Sequence, residues 1–411
     1  MSTAARVFLL FSFGYFVSYL FRGLNIGFAA PMTQELGLTA ADLGLLTSLY
    51  FLGFSLVQIP AGAALDTWGP RRVEAALLLI AALGALLFGL SDGMSGLMMG
   101  RILIGVGVAV CLGGAVQAMA QNFPRSRLPA TNGVLVALGG LGGAMVGTPL
   151  TALLQVITWR EASFAMAGVC LLTSVMLWAW ATDAPIVKQQ KRRPDLVGQF
   201  RGTWQLCTSG AFWQITLFPA LTGGVFYGVQ SLWVKPYLMD VNQLSLASAD
   251  GLVSLLGLSA VAGCAACGVA ARYIERAGIS LYNFCGLCLV LFLATQFMIV
   301  VDAPVPRVVL WFLYGFVGNS AILTFAVLAG SFPASMLGRA TTFFNMTLFF
   351  FIFIFQVAIG WILELWAPVA PGVYPAAAHQ AGWWSLLIIQ ALSAVWYFWP
   401  VKIQVALGER A

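Results

Sequence analysis

The sequence predicts an all-α membrane protein of twelve transmembrane helices arranged as two six-helix bundles. Three observations carry that expectation. Of 411 residues, 61% are apolar and only 8% are charged, whereas a soluble domain needs ~25% charged residues to face water. Apolar stretches of spanning length recur along the whole chain, each able to cross a hydrocarbon core of about 30 Å. The second half also repeats landmarks of the first.

The spans run Arg6–Ala30, Ala41–Leu65, Val73–Leu90, Leu97–Asn122, Pro129–Ile157 and Glu161–Thr182 for helices 1 to 6. Helices 7 to 12 run Ala211–Met239, Ala247–Ala271, Leu281–Val301, Arg307–Phe332, Ala340–Trp366 and Gly382–Ile403. The polar connection 183–210 carries Lys188, Lys191, Arg192, Arg193 and Arg201 and divides an N-terminal bundle, 1–182, from a C-terminal bundle, 211–411. Leu38, Ala41 and Asp42 recur as Leu246, Ala249 and Asp250, an offset of 208; Phe123, Pro124, Ser126 and Leu128 recur as Phe332, Pro333, Ser335 and Leu337, an offset of 209. A near-constant offset at corresponding loops points to duplication. Six helices per copy give both halves the same orientation, a parallel repeat with a site at the interface.

The net charge of +6 does not point to nucleic acid, because the basic residues are scattered over short loops. They read instead as topology signals. With the N-terminus inside, fifteen of twenty Lys and Arg fall on the cytoplasmic side, among them Arg6, Arg125, Arg127, Arg272, Arg276, Arg339, Lys402 and Arg410; only Arg160, Lys235 and Arg307 fall outside. That excess places both termini in the cytoplasm of a bacterial inner membrane. The first apolar stretch is too long, and carries Arg22, for a cleavable signal peptide.

The loop after helix 2 reads Gly62-x-x-x-Asp66-x-x-Gly69-x-Arg71-Arg72, with a weaker copy at Glu275, Arg276 and Gly278. It resembles the signature of the major facilitator superfamily, which implies the major facilitator fold and transport by alternating access. In that family the loop latches the halves in one state, so Gly62, Asp66, Gly69, Arg71 and Arg72 are the expected latch, with Gly62 allowing close packing and Gly69 the tight turn. Arg101-x-x-x-Gly105-x-Gly107 on helix 4 is similar to the family's second motif, whose arginine is tied to coupling. Gly139, Gly143, Gly147 and Pro149 partly resemble the helix 5 motif of exporters, and Trp159-Arg160 also has the family's look. Tyr19-x-x-Arg22 on helix 1 resembles the organic-anion symporter branch, which implies that Arg22 binds a carboxylate. Phe21 and Val108 stand where that branch often carries acids, which removes its usual proton-coupling carboxylates.

Two charges stand out inside the spans, Arg22 and Arg101. A charge at membrane depth costs at least ~2.5 kcal/mol and needs a reason. A guanidinium fork suits a carboxylate. Arg22 is therefore the expected substrate contact, with Asn25, Gln58, Tyr227, Gln230, Asn345 and Gln356 as polar partners; Arg101 and Asp42 are expected to serve coupling or as structural ties. Gln117, Asn319 and Trp233 form a second rank, Lys235 reads as an interfacial snorkelling residue, and the run Phe349–Phe355 as lipid contact and packing. Cys264, Cys267, Cys285 and Cys288 have zinc-like spacing, but both pairs lie inside apolar helices and read as packing. No P-loop lysine motif supports ATP drive, and the lone His379 lies in an outer loop.

These residues call for no metal, cofactor or enzymatic chemistry. The expected function is secondary active uptake of a small organic anion, with or without protons. Export of hydrophobic compounds and uptake of an amino acid or vitamin are the alternatives. The partners are the anionic substrate and membrane lipid, with no nucleic acid, and the chain is expected to be a monomer.

Overall fold

The computed structural model describes residues 3–124, 127–182 and 196–399. The expected linker cations Lys188, Lys191, Arg192 and Arg193, together with Arg125, Lys402, Arg410 and the last residues assigned to helix 12, lie outside the described residues. Among those described, ten helices are long and apolar enough to cross a membrane, and one bent pair forms an eleventh span. The N-terminal set is α1 (Thr3–Leu36), α2 (Ala40–Trp68), α3 (Pro70–Leu90), α4 (Met94–Asn122), the bent α5 (Ala130–Ala144 with Thr148–Leu154) and α6 (Trp159–Trp180). The C-terminal set is α7 (Gly210–Asp240), α8 (Leu246–Arg276), α9 (Leu281–Val300), α10 (Arg307–Ser331), α11 (Ala334–Leu363) and α12 (Ala376–Tyr397). The helix α12 occupies the place of the twelfth expected span.

Local chemistry sets several helix ends. Thr39 with Asp42, and Thr158 with Glu161, close capping boxes that start α2 and α6. Gly69 takes φ 80°, which only glycine adopts cheaply, and Pro70 then opens α3. Gly278 takes φ 74° at the equivalent turn of the second half. Within the connection between the halves, Leu196–Cys207 is a helix. It buries Leu206 while leaving Trp204 exposed, the one-sided pattern of a helix lying on a surface, and Gly202 packs against Arg339 at the start of α11.

Each set packs on itself, and the two meet along α2 with α11 and along α5 with α8. The outer faces are apolar and open: Leu172 of α6 is 59% exposed and Leu392 of α12 is 67% exposed, as a lipid-facing surface requires. The Phe349–Phe355 run divides by helical face between outward contact and packing. Phe350 is 44% exposed while Phe349 and Phe355 are 5% and 4% exposed. A 3.6-residue turn cannot point consecutive side chains the same way.

Glycines fix the closest approaches. A Cβ on Gly105 would sit 2.0 Å from the Tyr50 carbonyl oxygen, and one on Gly107 would sit 2.3 Å from Ala81 N. The resembled Gly-x-Gly of α4 is thus the groove into which α2 and α3 pack. Gly168 on α6 meets nothing within 4 Å. Gly105→Ala is therefore expected to lower stability by about 1–3 kcal/mol through overpacking, and Gly168→Ala to leave it unchanged or slightly raised. Thermal unfolding of the two detergent-purified variants checks this.

Candidate functional site

Four spans lose regular α geometry at the level where the halves face each other. The helix α4 breaks at Ala109–Val110, α5 bends by 47° between its pieces, α7 carries a π turn at Val229–Trp233, and α10 narrows to a 3-10 turn at Asn319–Ile322. Irregular backbone at membrane depth is tolerated where it lines a cavity or is buried in protein. Here the freed groups find side chains: the Ala109 carbonyl accepts from Gln58 Nε2 at 3.4 Å.

Between the halves lies a cavity of about 300 Å³. Its wall includes Tyr15, Ser18, Tyr19 and Arg22 from α1, Phe54 and Gln58 from α2, Tyr227 from α7, Asn319 from α10, and Thr341, Asn345 and Phe349 from α11. It runs down to Gly62 and Leu65, beside the α2–α3 loop. Tyr15, Tyr19 and Arg22 follow i, i+4, i+7 spacing and so share one helix face.

Among the described residues, Arg22 is the one cation in this wall. Its guanidinium lies 4.4 Å from the centre of the Tyr19 ring, 4.9 Å from that of Tyr227 and 5.2 Å from that of Phe349. All three are within the ~6 Å reach of a cation–π contact. Tyr19 belongs to the first half, Tyr227 and Phe349 to the second, so the charge is gripped from both sides of the interface. No ion pair reaches Arg22 among the described residues, and its Nε is buried without a hydrogen-bond partner. Ring faces hold the cation and the Tyr50 hydroxyl also reaches its edge; a guanidinium carries five N–H donors, more than these contacts use.

The other nominated residues divide. Gln58, Tyr227 and Asn345 line the cavity, and Tyr227 donates to Asn319 Oδ1 at 2.8 Å. Gln230 lines a small side pocket with Tyr19, Val261 and Cys264. Asn25 and Gln356 are not in the wall. Asn25 donates to Thr47 Oγ1 at 2.7 Å and ties α1 to α2. Gln356 donates to Ser231 Oγ at 2.6 Å and to the Gly228 carbonyl at 3.2 Å, satisfying the π turn of α7. Arg101 is 2% exposed, lies inside the first bundle, and stacks 4.5 Å from the centre of the Phe88 ring. Asp42 is spent on its capping box.

The loop expected to act as the latch makes no ion pair among the described residues. Gly62 meets nothing within 4 Å where close packing was expected, because the cavity opens beside it. Asp66 is exposed, and no ion pair among the described residues reaches it. Arg71 donates from Nε to the Trp178 carbonyl at 3.2 Å.

The opposite end is sealed. Glu364 accepts from Ala41 N at 3.0 Å, and the Tyr374 hydroxyl accepts from Ala40 N at 3.4 Å. A Cβ on Gly360 would meet the Ala40 carbonyl oxygen at 2.7 Å, and one on Gly147 the Asp250 carbonyl oxygen at 2.7 Å. Lys235 does not snorkel. It forms a 2.7 Å ion pair with Asp250, with side chains 11% and 3% exposed, and lies 3.4 Å from Thr151 of the other half. An acid on the adjacent helix satisfies the cation more fully than the interface.

Two further residues escaped the sequence reading. Asp250 is buried on α8. Glu74 is a further charge position within a span, one turn into α3 and 0% exposed. The four cysteines of α8 and α9 do not converge: Cys267 faces Cys288, Cys285 turns to Thr324 Oγ1 at 3.7 Å, and Cys264 lines the side pocket.

Paired helical bundles around a central cavity define a polytopic membrane protein, and the family match makes it a transporter. The Major Facilitator Superfamily profile matches residues 11–356, and the chain belongs to that family. It is 26% identical over 257 residues to a probable sulfoacetate transporter of Cupriavidus necator, covering 58% of this chain and 59% of that protein. It is 26% identical over 276 residues to a hexuronate transporter of Bacillus subtilis, covering 63% and 62%. Each of these matched stretches spans less than two thirds of the relative's length. A probable L-galactonate transporter of Escherichia coli is 23% identical over 317 residues, covering 71% of this chain and 67% of that protein. Among solved structures, an inward-facing, occupied bacterial homologue of the human lysosomal transporter Spinster superposes with TM-score 0.73 at 18% identity, covering 96% of both chains. That likeness concerns the fold.

The Lys235–Asp250 pair yields a prediction. Lys235→Ala strands a buried carboxylate and is expected to cost about 3–5 kcal/mol, whereas Lys235→Met with Asp250→Leu recovers most of that. Thermal unfolding of the single and double variants measures the difference.

Proposed function

We propose that this chain is a secondary active importer of a small organic anion, with the carboxylate or sulfonate held by Arg22. The observation that carries the reading is the Arg22 guanidinium: in the cavity wall, stacked on rings from both halves, with no acid among the described residues paired to it. A positive charge kept in a low-dielectric cavity attracts a counter-charge, and a planar fork selects a two-oxygen anion. Gln58, Asn319 and Asn345 supply neutral polar contacts for the rest of the molecule. The named substrates of the relatives, sulfoacetate, a hexuronate and L-galactonate, share this chemistry: a small, hydroxylated or short-chain anion.

On this reading the protein sits in a bacterial inner membrane with both termini cytoplasmic, as the distribution of Lys and Arg supports. The cavity then opens inward, and the seal at Glu364 and Tyr374 faces outward. The bundles 1–182 and 211–411 rock about Arg22 through the connection 183–210. In the outward-open state, Asp66 and the Arg71–Arg72 pair re-engage as the latch.

The test is uptake into proteoliposomes of labelled sulfoacetate, a hexuronate and L-galactonate. Arg22→Ala is expected to lower uptake of the transported anion about 100-fold, equivalent to about 3 kcal/mol. Arg22→Lys keeps the charge but loses the fork and is expected to fall between. Flux indifferent to Arg22, or selective for neutral or cationic compounds, would overturn the reading in favour of export of hydrophobic compounds.

A further inference from the structure

The buried acid Glu74 is used by nothing described so far. It is 0% exposed, and neither carboxyl oxygen has a hydrogen-bond partner. No ion pair reaches it among the described residues. Its two oxygens abut two glycines: a Cβ on Gly14 of α1 would lie 2.5 Å from Oε1, and one on Gly114 of α4 would lie 2.7 Å from Oε2. The chain neighbours of those glycines, Tyr15 and Gly113, line the central cavity. Glu74 therefore stands directly behind the cavity wall, separated from it by the thin backbone of α1 and α4.

Its surroundings offer no compensating charge. From α4 the Cys111 thiol faces it, and Cys170 of α6 lies beyond that thiol. The α1 helix presents Gly14. Ser174 of α6 donates to the Ala75 carbonyl at 2.6 Å. On its own helix, Arg71 is committed to the Trp178 carbonyl. Arg101 stacks on Phe88, about 21 Å further along α3 at 1.5 Å per residue. An ionised carboxylate without a partner at this place is strongly disfavoured, so the group is neutral here. A structural role has little to recommend it, since the carboxyl ties no helix to another.

We propose that Glu74 is the proton-binding site of this transporter, closed off in this state by Gly14 and Gly114 and opened when α1 and α4 shift against α3. This rests on the anion-import reading. The step is a simple protonation: the Glu74 carboxylate takes one proton to become the carboxylic acid, and that proton is released when the group is next hydrated. The helices that cover Glu74 also carry the cavity wall, and α1 carries Arg22 itself. Anion binding and proton binding therefore bias the same helix positions, and linkage makes each strengthen the other. One proton per monoanion makes the cycle electroneutral. It supplies the acid that is missing at Phe21 and Val108, from the rear of the wall rather than its front.

The experiment compares wild type, Glu74→Gln and Glu74→Asp in proteoliposomes with labelled L-galactonate, sulfoacetate and a hexuronate. Counterflow exchange at equal pH tests anion transport alone; its absence in wild type would overturn the import reading and leave Glu74 to be judged by spectroscopy. With an inward gradient of one pH unit, wild type is expected to accumulate a monoanion about tenfold. Glu74→Gln is expected to keep counterflow and lose accumulation, while Glu74→Asp keeps both with a shifted pH profile. Full gradient-driven accumulation by Glu74→Gln overturns the proposal. Infrared difference spectra of wild type supply a second readout if Glu74→Gln does not fold. A protonated-carboxyl band that changes with pH or anion and shifts in Glu74→Asp supports the assignment, and its absence refutes it.

Discussion

A guanidinium at membrane depth with no carboxylate beside it constrains everything around it. Such a charge costs several kcal/mol unless something compensates it. Around Arg22 the compensation comes from the negative faces of Tyr19, Tyr227 and Phe349. Ring faces are a partial remedy, worth about 0.5–2 kcal/mol each. The site stays short of negative charge, which makes an incoming anion welcome. Two of the three rings belong to the opposite half, so an anion that draws the guanidinium away also loosens a contact across the interface. Binding and rearrangement then share one free-energy source.

The ties within each half differ from those between halves. Arg160 bridges Glu35 and Asp92 at 2.9 Å inside the first set, and Lys235–Asp250 and His379–Asp240 lie inside the second. Across the seal no ion pair forms among the described residues: Glu364 and Lys235 each meet a neutral partner, and the rest is hydroxyl contacts and close glycine packing, such as Thr148 N to Ser254 Oγ at 3.1 Å and Gly44 against the Gln356 carbonyl. Charge pairs stiffen a body. Single hydrogen bonds separate at lower cost, each being worth roughly 0.5–1.5 kcal/mol net, or about 1.5–3 where one partner is charged. That division suits two rigid bundles meeting at a seam that opens.

Much of this was legible in the sequence. Hydropathy located the spans because lipid imposes one length and one composition on every helix. The turn at Gly69, Arg22 and part of its polar lining followed from glycine chemistry and charge. What escaped depends on helical face and depth. Asn25 shares a face with Arg22 by spacing but turns to Thr47, and Gln356 serves a π turn that no sequence period announces. Phe349 was lost in a phenylalanine run whose members point different ways. Glu74 and Lys235 sat near span ends, where a charge is ordinarily hydrated; only packing reveals that neighbouring helices bury them. Asp42 and Asp250 correspond in the two halves, yet one caps a helix and the other pairs with Lys235, a divergence that the repeat does not announce.

The central claim is that Arg22 is the anion anchor. The most direct measurement is a structure of the protein with L-galactonate or a hexuronate bound. The account predicts the carboxylate in the central cavity, in two-point contact with the Arg22 guanidinium, with Gln58, Asn319 or Asn345 on the hydroxyl groups. A carboxylate held elsewhere, with Arg22 still stacked among its three rings, would contradict it.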